Sequence, residues 1–131
     1  MNECKKMVSK LGLADNVSLF GKAPRNRIKG ILRGSNCFVL PSELETFCVA
    51  CAEALFCGLP VIATRCGGPE SFVDETNGVL IPVNDREALS RAFIWMLNNA
   101  AKFDSCVITK VAREKFSPLA VAKQVMKAYC E

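Results

Sequence analysis

A chain of 131 residues, half of them apolar and 23% charged, suits one folded domain and is too apolar for a disordered segment. No apolar run nears the roughly 20 residues that cross a bilayer, and Met1-Asn2-Glu3-Cys4-Lys5-Lys6 lacks the core of a signal peptide, so a cytoplasmic protein is expected. The formal charge of +4 is spread over scattered Lys and Arg, which argues against a nucleic-acid partner, and the absence of histidine excludes a His-dependent base or triad within the chain.

The N-terminal stretch Glu3–Leu13 reads as a helix that Gly12 can stop. Val17-Ser18-Leu19-Phe20 reads as a short strand closed by Gly21. Pro24 opens a helix with Ile28, Ile31 and Leu32 at helical spacing, ended by Gly34-Ser35. The basic residues from Lys22 to Arg33 read as a solvated helix face, with anionic lipid or phosphate as the alternative contact. Cys37-Phe38-Val39-Leu40 is a continuous apolar run, as in a parallel strand covered on both faces.

A helix over Phe47–Cys57 follows, then strand Pro60–Ala63, a turn of helix around Glu70–Val73 and strand Gly78–Ile81. Asp85 caps a long helix, Arg86–Asn99, with Leu89, Ala92, Phe93 and Met96 on one face. Two further helices fall near Ser105–Phe116 and Pro118–Tyr129, with Ser117 as a cap and Pro118 at the first helical position. Alternating strands and helices predict an α/β domain spanning residues 1–131, with a parallel sheet of about four strands.

The eight cysteines do not read as a metal centre. Cys48-x-x-Cys51 and Cys57 lie on or beside one helix and point in different directions, whereas zinc needs four converging ligands. Free thiols acting as small hydrophobes are the expected reading.

Residues Pro41 to Glu70 carry the functional signal. Glu45 and Glu53 stand with seven residues between them, followed by Gly58-Leu59-Pro60, an apolar run and Gly67-Gly68. Carboxylates and glycines at strand ends are how an open α/β sheet builds a ligand site. A helix beginning near Thr46 presents free N–H groups and a positive dipole end to an anion. If both glutamates lie along that helix, they are separated by roughly 12 Å, too far for a glycosidase pair at about 5–9.5 Å.

Structural readings stand beside these. Ser42-x-x-Glu45 fits a capping box, and Gly67-Gly68 fits a plain turn before Pro69. Glu53 is the single charge in Thr46–Gly58, so a buried helix there implies a buried carboxylate in need of a partner.

Together these residues resemble the carboxy-terminal, donor-binding half of the family 4 glycosyltransferases, which have the GT-B architecture. The resemblance runs through Pro41-Ser42-x-x-Glu45-Thr46-Phe47, Glu53-Ala54-Leu55, Cys57-Gly58-Leu59-Pro60-Val61-Ile62-Ala63-Thr64, Gly67-Gly68, Glu70 and Asn77-Gly78-Val79-Leu80-Ile81-Pro82. It implies a partial Rossmann-like sheet and a retaining transfer of a hexosyl group from a nucleoside-diphosphate sugar, without a metal or cofactor. Glu45 would sit beside the donor sugar as the catalytic carboxylate, and Glu53 would hold the ribose hydroxyls. Thr46 and the backbone at Phe47, Cys48 and Val49 would meet the sugar and diphosphate, with Gly67-Gly68 close to a phosphate. Gly21 and Lys22 would lie near the base.

The family usually has glycine where this chain has Cys48, and its thiol either crowds the donor phosphate or points away. The resemblance also implies that the chain starts after two strands, a basic Arg–Lys pair and the acceptor-binding amino-terminal domain. In the family strand order 3-2-1-4-5-6, strand Val17–Phe20 would be parted from Cys37–Leu40 by roughly 14 Å at ~4.8 Å per strand. A fragment is therefore expected, inactive by itself and open to self-association through bare strand edges. The acceptor, a glycan or a lipid, and a peripheral contact at the inner membrane face stay open. Two other readings are a nucleotide-sugar-binding module or truncated remnant without transfer, and a phospho-receiver domain, for which the acidic cluster and late lysine are missing.

Overall fold

Three short apolar runs form one parallel sheet: β1 (Phe38–Leu40), β2 (Val61–Thr64) and β3 (Gly78–Ile81), in the order β1-β2-β3. The computed structural model describes residues 2–130. Around the strands run α1 (Asn2–Lys10), α2 (Arg25–Arg33), α3 (Val49–Phe56), α4 (Arg86–Asn99), α5 (Ser105–Phe116) and α6 (Pro118–Cys130). Single 3₁₀ turns lie at Gly68–Ser71 and Ala100–Lys102. The chain groups into two units, one ending at Gly30 and one beginning at Ile31.

In the first unit α1 ends as its sequence implies. Gly12 takes φ 66°, and the N–H groups of Gly12 and Leu13 return to the carbonyls of Ser9 and Val8, the paired bonds of a glycine helix stop. The expected strand Val17–Phe20 does not form. Asn16 and Val17 instead close a turn onto the Leu13 carbonyl, and the Phe20 ring lies 5.1 Å from the Arg27 guanidinium. An apolar tetrapeptide resembles a strand in composition, but a strand exists only where a neighbour completes its hydrogen bonds. Among the described residues the sheet therefore has three strands rather than about four.

The second unit is built on β2, whose four residues are all buried. Alternation sends Val61 and Ala63 to one face and Ile62 to the other. Val61 and Ala63 pack with Leu55 of α3, Phe72, and Ile108 and Ala112 of α5. Ile62 packs with Ile81 and with Ala92 and Met96 of α4. Helices thus cover both faces, which accounts for the unbroken apolar character of the strand.

Local signals end most helices. Asp85 accepts the Ala88 N–H at 2.8 Å, and Asp104 accepts those of Cys106 and Val107 at 2.8 and 3.2 Å. Gly58, at φ 78°, closes α3, with N–H groups of Gly58 and Leu59 returning to Leu55 and Ala54. A Cβ there would sit 2.1 Å from Ser105 Oγ, so the same glycine lets α5 approach. No helix among the described residues is long and apolar enough to cross a membrane.

Candidate functional site

The chain leaves β1 at Leu40 and spends eight residues, Pro41 to Cys48, before α3 begins at Val49. Hydrogen bonds from the end of β2 and the turn beyond it hold this loop. The buried Thr64 hydroxyl donates to the Ser42 carbonyl. The Glu45 N–H donates to the Cys66 carbonyl at 2.8 Å, and the Glu45 carbonyl accepts the Gly68 N–H at 2.7 Å. Glu45 and Gly67 form an isolated parallel bridge. The loop is effectively a short continuation of the sheet past its carboxyl edge, where open α/β sheets place ligands.

The two glycines serve that approach. Gly67 has φ 105°, and a Cβ there would fall 2.7 Å from the Glu45 carbonyl oxygen. A Cβ on Gly68 would fall 2.5–2.6 Å from three Phe47 backbone atoms. Both glycines therefore pack against the Glu45–Phe47 backbone. The Phe47 ring joins Phe72 and Phe116 in a cluster, with centroids 5.2–5.7 Å apart.

Glu45 is half buried and accepts the Ser42 hydroxyl at 2.9 Å. The pair expected as a capping box is thus in contact but caps nothing, because α3 starts at Val49 rather than near Thr46 or Phe47. Glu45 consequently lies in the loop, and the helical spacing of about 12 Å to Glu53 does not describe the two carboxylates. Glu53 does lie on α3, but it is exposed. The buried carboxylate expected there is absent, because Cys51, Ala52, Ala54 and Leu55 fill the buried positions and leave Glu53 the outward one.

Cys48 is the N-cap of α3, with φ 67° and ψ 69° in the left-handed region. Only two non-glycine residues among those described have positive φ, Cys48 and Asn84. That conformation accounts for a glycine preference at this position. The Cys48 side chain points inward, is 4% exposed and accepts the Cys51 N–H at 3.4 Å. Burial pushes the Cys51 thiol well above its ordinary range, and the facing Cys48 thiol, Cys66 and Glu45 add to the effect.

Thr46 and Val49 are exposed on either side of this turn. Gly21, at φ 63°, and Lys22 belong to the first unit. No group of three or more His, Cys, Asp or Glu among the described residues is arranged to hold a metal ion. Sequence reasoning missed a cavity of about 290 Å³ at the same strand ends, lined by Pro41, Thr64, Ile81, Asn84, Asp85 and Arg86 among others. The signal for it was the Asn84-Asp85 turn after β3.

The family model described as "Glycosyl transferases group 1" matches residues 2–112. The chain belongs to this family. Among its curated relatives, the GDP-mannose-dependent alpha-mannosyltransferase of Corynebacterium glutamicum is 34% identical, over 72% of the chain and 23% of the relative. The D-inositol 3-phosphate glycosyltransferase of Mycobacteroides abscessus is 30% identical, over 91% of the chain and 27% of the relative.

Solved structures agree on the fold. Sucrose-phosphate synthase from Thermosynechococcus elongatus aligns with a TM-score of 0.81 at 29% identity, over 98% of this chain and 33% of that one. HepE of Anabaena, solved in complex with UDP, aligns with a TM-score of 0.85 at 21% identity, over 98% and 36%, a likeness of fold. The α/β unit is thus the carboxy-terminal part of a GT-B glycosyltransferase fold. The chain spans roughly a quarter to a third of the length of these relatives.

Proposed function

We propose that the loop Pro41–Cys48 and the start of α3 form the donor site of a retaining glycosyltransferase that takes a hexosyl group from a nucleoside-diphosphate sugar. The observation that carries this reading is Glu45, held by Ser42 and by the Gly67-Gly68 turn at the carboxyl end of the sheet, eight positions before Glu53 on α3. Family membership and the HepE structure in complex with UDP-glucose support a sugar-nucleotide donor.

In this reading the exposed helix start, with the Val49 and Ala50 N–H groups at its mouth, receives the diphosphate. Positive dipole density and fixed N–H donors stabilise charge developing on a departing diphosphate without reorganisation. Glu45, its carboxylate oriented by the Ser42 hydroxyl, faces the donor sugar. Glu53 accepts hydrogen bonds from the ribose hydroxyls, which its exposure permits. Gly67 and Gly68 act on the donor through the Glu45 loop. No metal is needed in this scheme, and the acceptor, a glycan or a lipid, is bound by a further domain.

Isothermal titration of the chain with UDP-, GDP- and ADP-glucose tests the reading. Saturable binding of one nucleotide, weakened by loss of Glu53, is the expected result. A chain that folds by circular dichroism and binds none of the three overturns it. Binding without sugar transfer to any acceptor would mark a nucleotide-sugar-binding module instead.

A further inference from the structure

Three cysteines meet beneath the start of α3, and the donor-site reading uses none of their thiols. Cys48 and Cys51 stand at C-x-x-C spacing, the first at the N-cap and the second in the first turn, 4% and 0% exposed. The Cys48 sulfur accepts the Cys51 N–H at 3.4 Å, so it is directed along the helix toward Cys51 rather than out to solvent. Cys66, also buried, holds the Glu45 N–H through its carbonyl.

Cys48 stands at the left-handed N-cap, outside the regular helix. What brings the two thiols together is the bond from the Cys51 N–H to the Cys48 sulfur at 3.4 Å and the hydrogen bond between the two side chains. A disulfide needs Cα atoms about 4.4–6.8 Å apart. Cys48, itself 4% exposed, is the less enclosed of the pair and lies between Phe47 and Val49, which are 43% and 62% exposed. Its left-handed backbone is a conformation that a non-glycine residue holds at a cost.

We propose that Cys48 and Cys51 form a dithiol that a peroxide closes to a disulfide, and that closure distorts the donor-binding start of α3. The second half rests on the donor-site reading above. The Cys48 thiolate attacks one oxygen of hydrogen peroxide and becomes a sulfenic acid. The hydroxide released takes up the proton the thiol lost and leaves as water. The Cys51 thiol then attacks that sulfur, the S–S bond forms, the S–O bond breaks, and a second water departs with the Cys51 proton. Two thiols are oxidised by two electrons and one peroxide is reduced to two waters. Bringing the sulfurs to about 2.05 Å requires movement at Cys48, and the strain falls on the Cys48–Val49 link at the start of α3, the place assigned to the diphosphate.

The test treats the reduced full chain with hydrogen peroxide, alkylates remaining thiols after denaturation and maps the tryptic peptide Gly34–Arg65 by tandem mass spectrometry. Whichever of UDP-, GDP- and ADP-glucose the reduced chain binds is titrated before and after, and again after dithiothreitol. The expected result is a peptide lighter by two hydrogens, with Cys48 and Cys51 unalkylated, and donor affinity several-fold weaker until reduction restores it. In Cys51→Ala the sulfenic acid on Cys48 should persist and be trapped by dimedone, with no disulfide.

Oxidation of the exposed Cys4, Cys106 and Cys130 while Cys48 and Cys51 remain alkylatable would overturn the dithiol. A disulfide that leaves the affinity for that nucleotide sugar unchanged would overturn its coupling to the site. Failure of the reduced chain to bind any of the three nucleotide sugars would sink the donor reading and the coupling together, while the peptide map still decides the dithiol.

Discussion

Gly68 lies so close to Phe47 that a Cβ on it would fall 2.5 Å from the Phe47 carbonyl carbon. The turn after β2 and the loop that leads into α3 therefore occupy one van der Waals layer. The position of Glu45 depends on that contact, because the neighbouring Gly68 N–H donates to the Glu45 carbonyl.

Gly68→Ala should destabilise the chain by about 1–3 kcal/mol, the usual range for forcing a methyl group into a filled space. Gly30→Ala is the control. Nothing lies within 4 Å of a Cβ at Gly30 on α2, and alanine there should be neutral or stabilising by up to about 1 kcal/mol. Urea unfolding midpoints compare the two. Equal stability of Gly68→Ala and the unaltered chain would refute the close approach.

At Cys48 the left-handed backbone predicts an order between two substitutions. Cys48→Gly and Cys48→Ala both remove the buried thiol and its bond to the Cys51 N–H. Only alanine retains the Cβ that φ 67° disfavours. Cys48→Gly should be the more stable by about 1 kcal/mol, read from the same unfolding curves. The reverse order would mean that the turn relaxes out of the left-handed region at no cost.

The two glutamates should separate in binding. Glu53→Ala should weaken both the bare nucleotide and its sugar conjugate by about 1–3 kcal/mol, the worth of one or two hydrogen bonds to a charged acceptor. Glu45→Ala should weaken the sugar nucleotide and leave the bare nucleotide nearly unchanged. Calorimetric titration of both ligands decides between these roles. Unchanged affinity in Glu53→Ala would remove that residue from the site.

Burial raises the Cys37 thiol from its ordinary value near 9 to about 11, with the Ile62 backbone bond opposing the shift slightly. The sign follows from proton counts. Between these values the unfolded chain has lost a proton that the folded chain keeps, so stability is full below pH 9 and falls as pH rises toward 11. Cys37→Ala should flatten this fall between about pH 9 and about pH 11, measured by urea midpoints. An identical slope in the variant would show that Cys37 does not carry it.

What could be read from residues in order was whatever short-range chemistry decides. The cap at Asp85, the bounds of α4 and the glycine stop at Gly12 emerge as expected, because each depends on atoms a few positions away. The Glu45-to-Glu53 pattern was equally legible. The bonding of Ser42 to Glu45 was legible as a pair, but its meaning as a helix cap was not. The helix start is decided by the left-handed turn at Cys48, which no propensity for cysteine foretells.

The amino-acid sequence by itself determined the family, the alternation of strands and helices and the residues eligible for a donor site. Tertiary structure alone decided that Val17–Phe20 is not a strand, that Glu53 faces outward and that Gly67-Gly68 support the Glu45 loop. It also turned the Cys48 thiol inward toward Cys51. These outcomes share one physical reason. Strand pairing, burial and close backbone approach are relations between segments far apart in the chain, and the energy that settles them resides in the partner rather than in the residue.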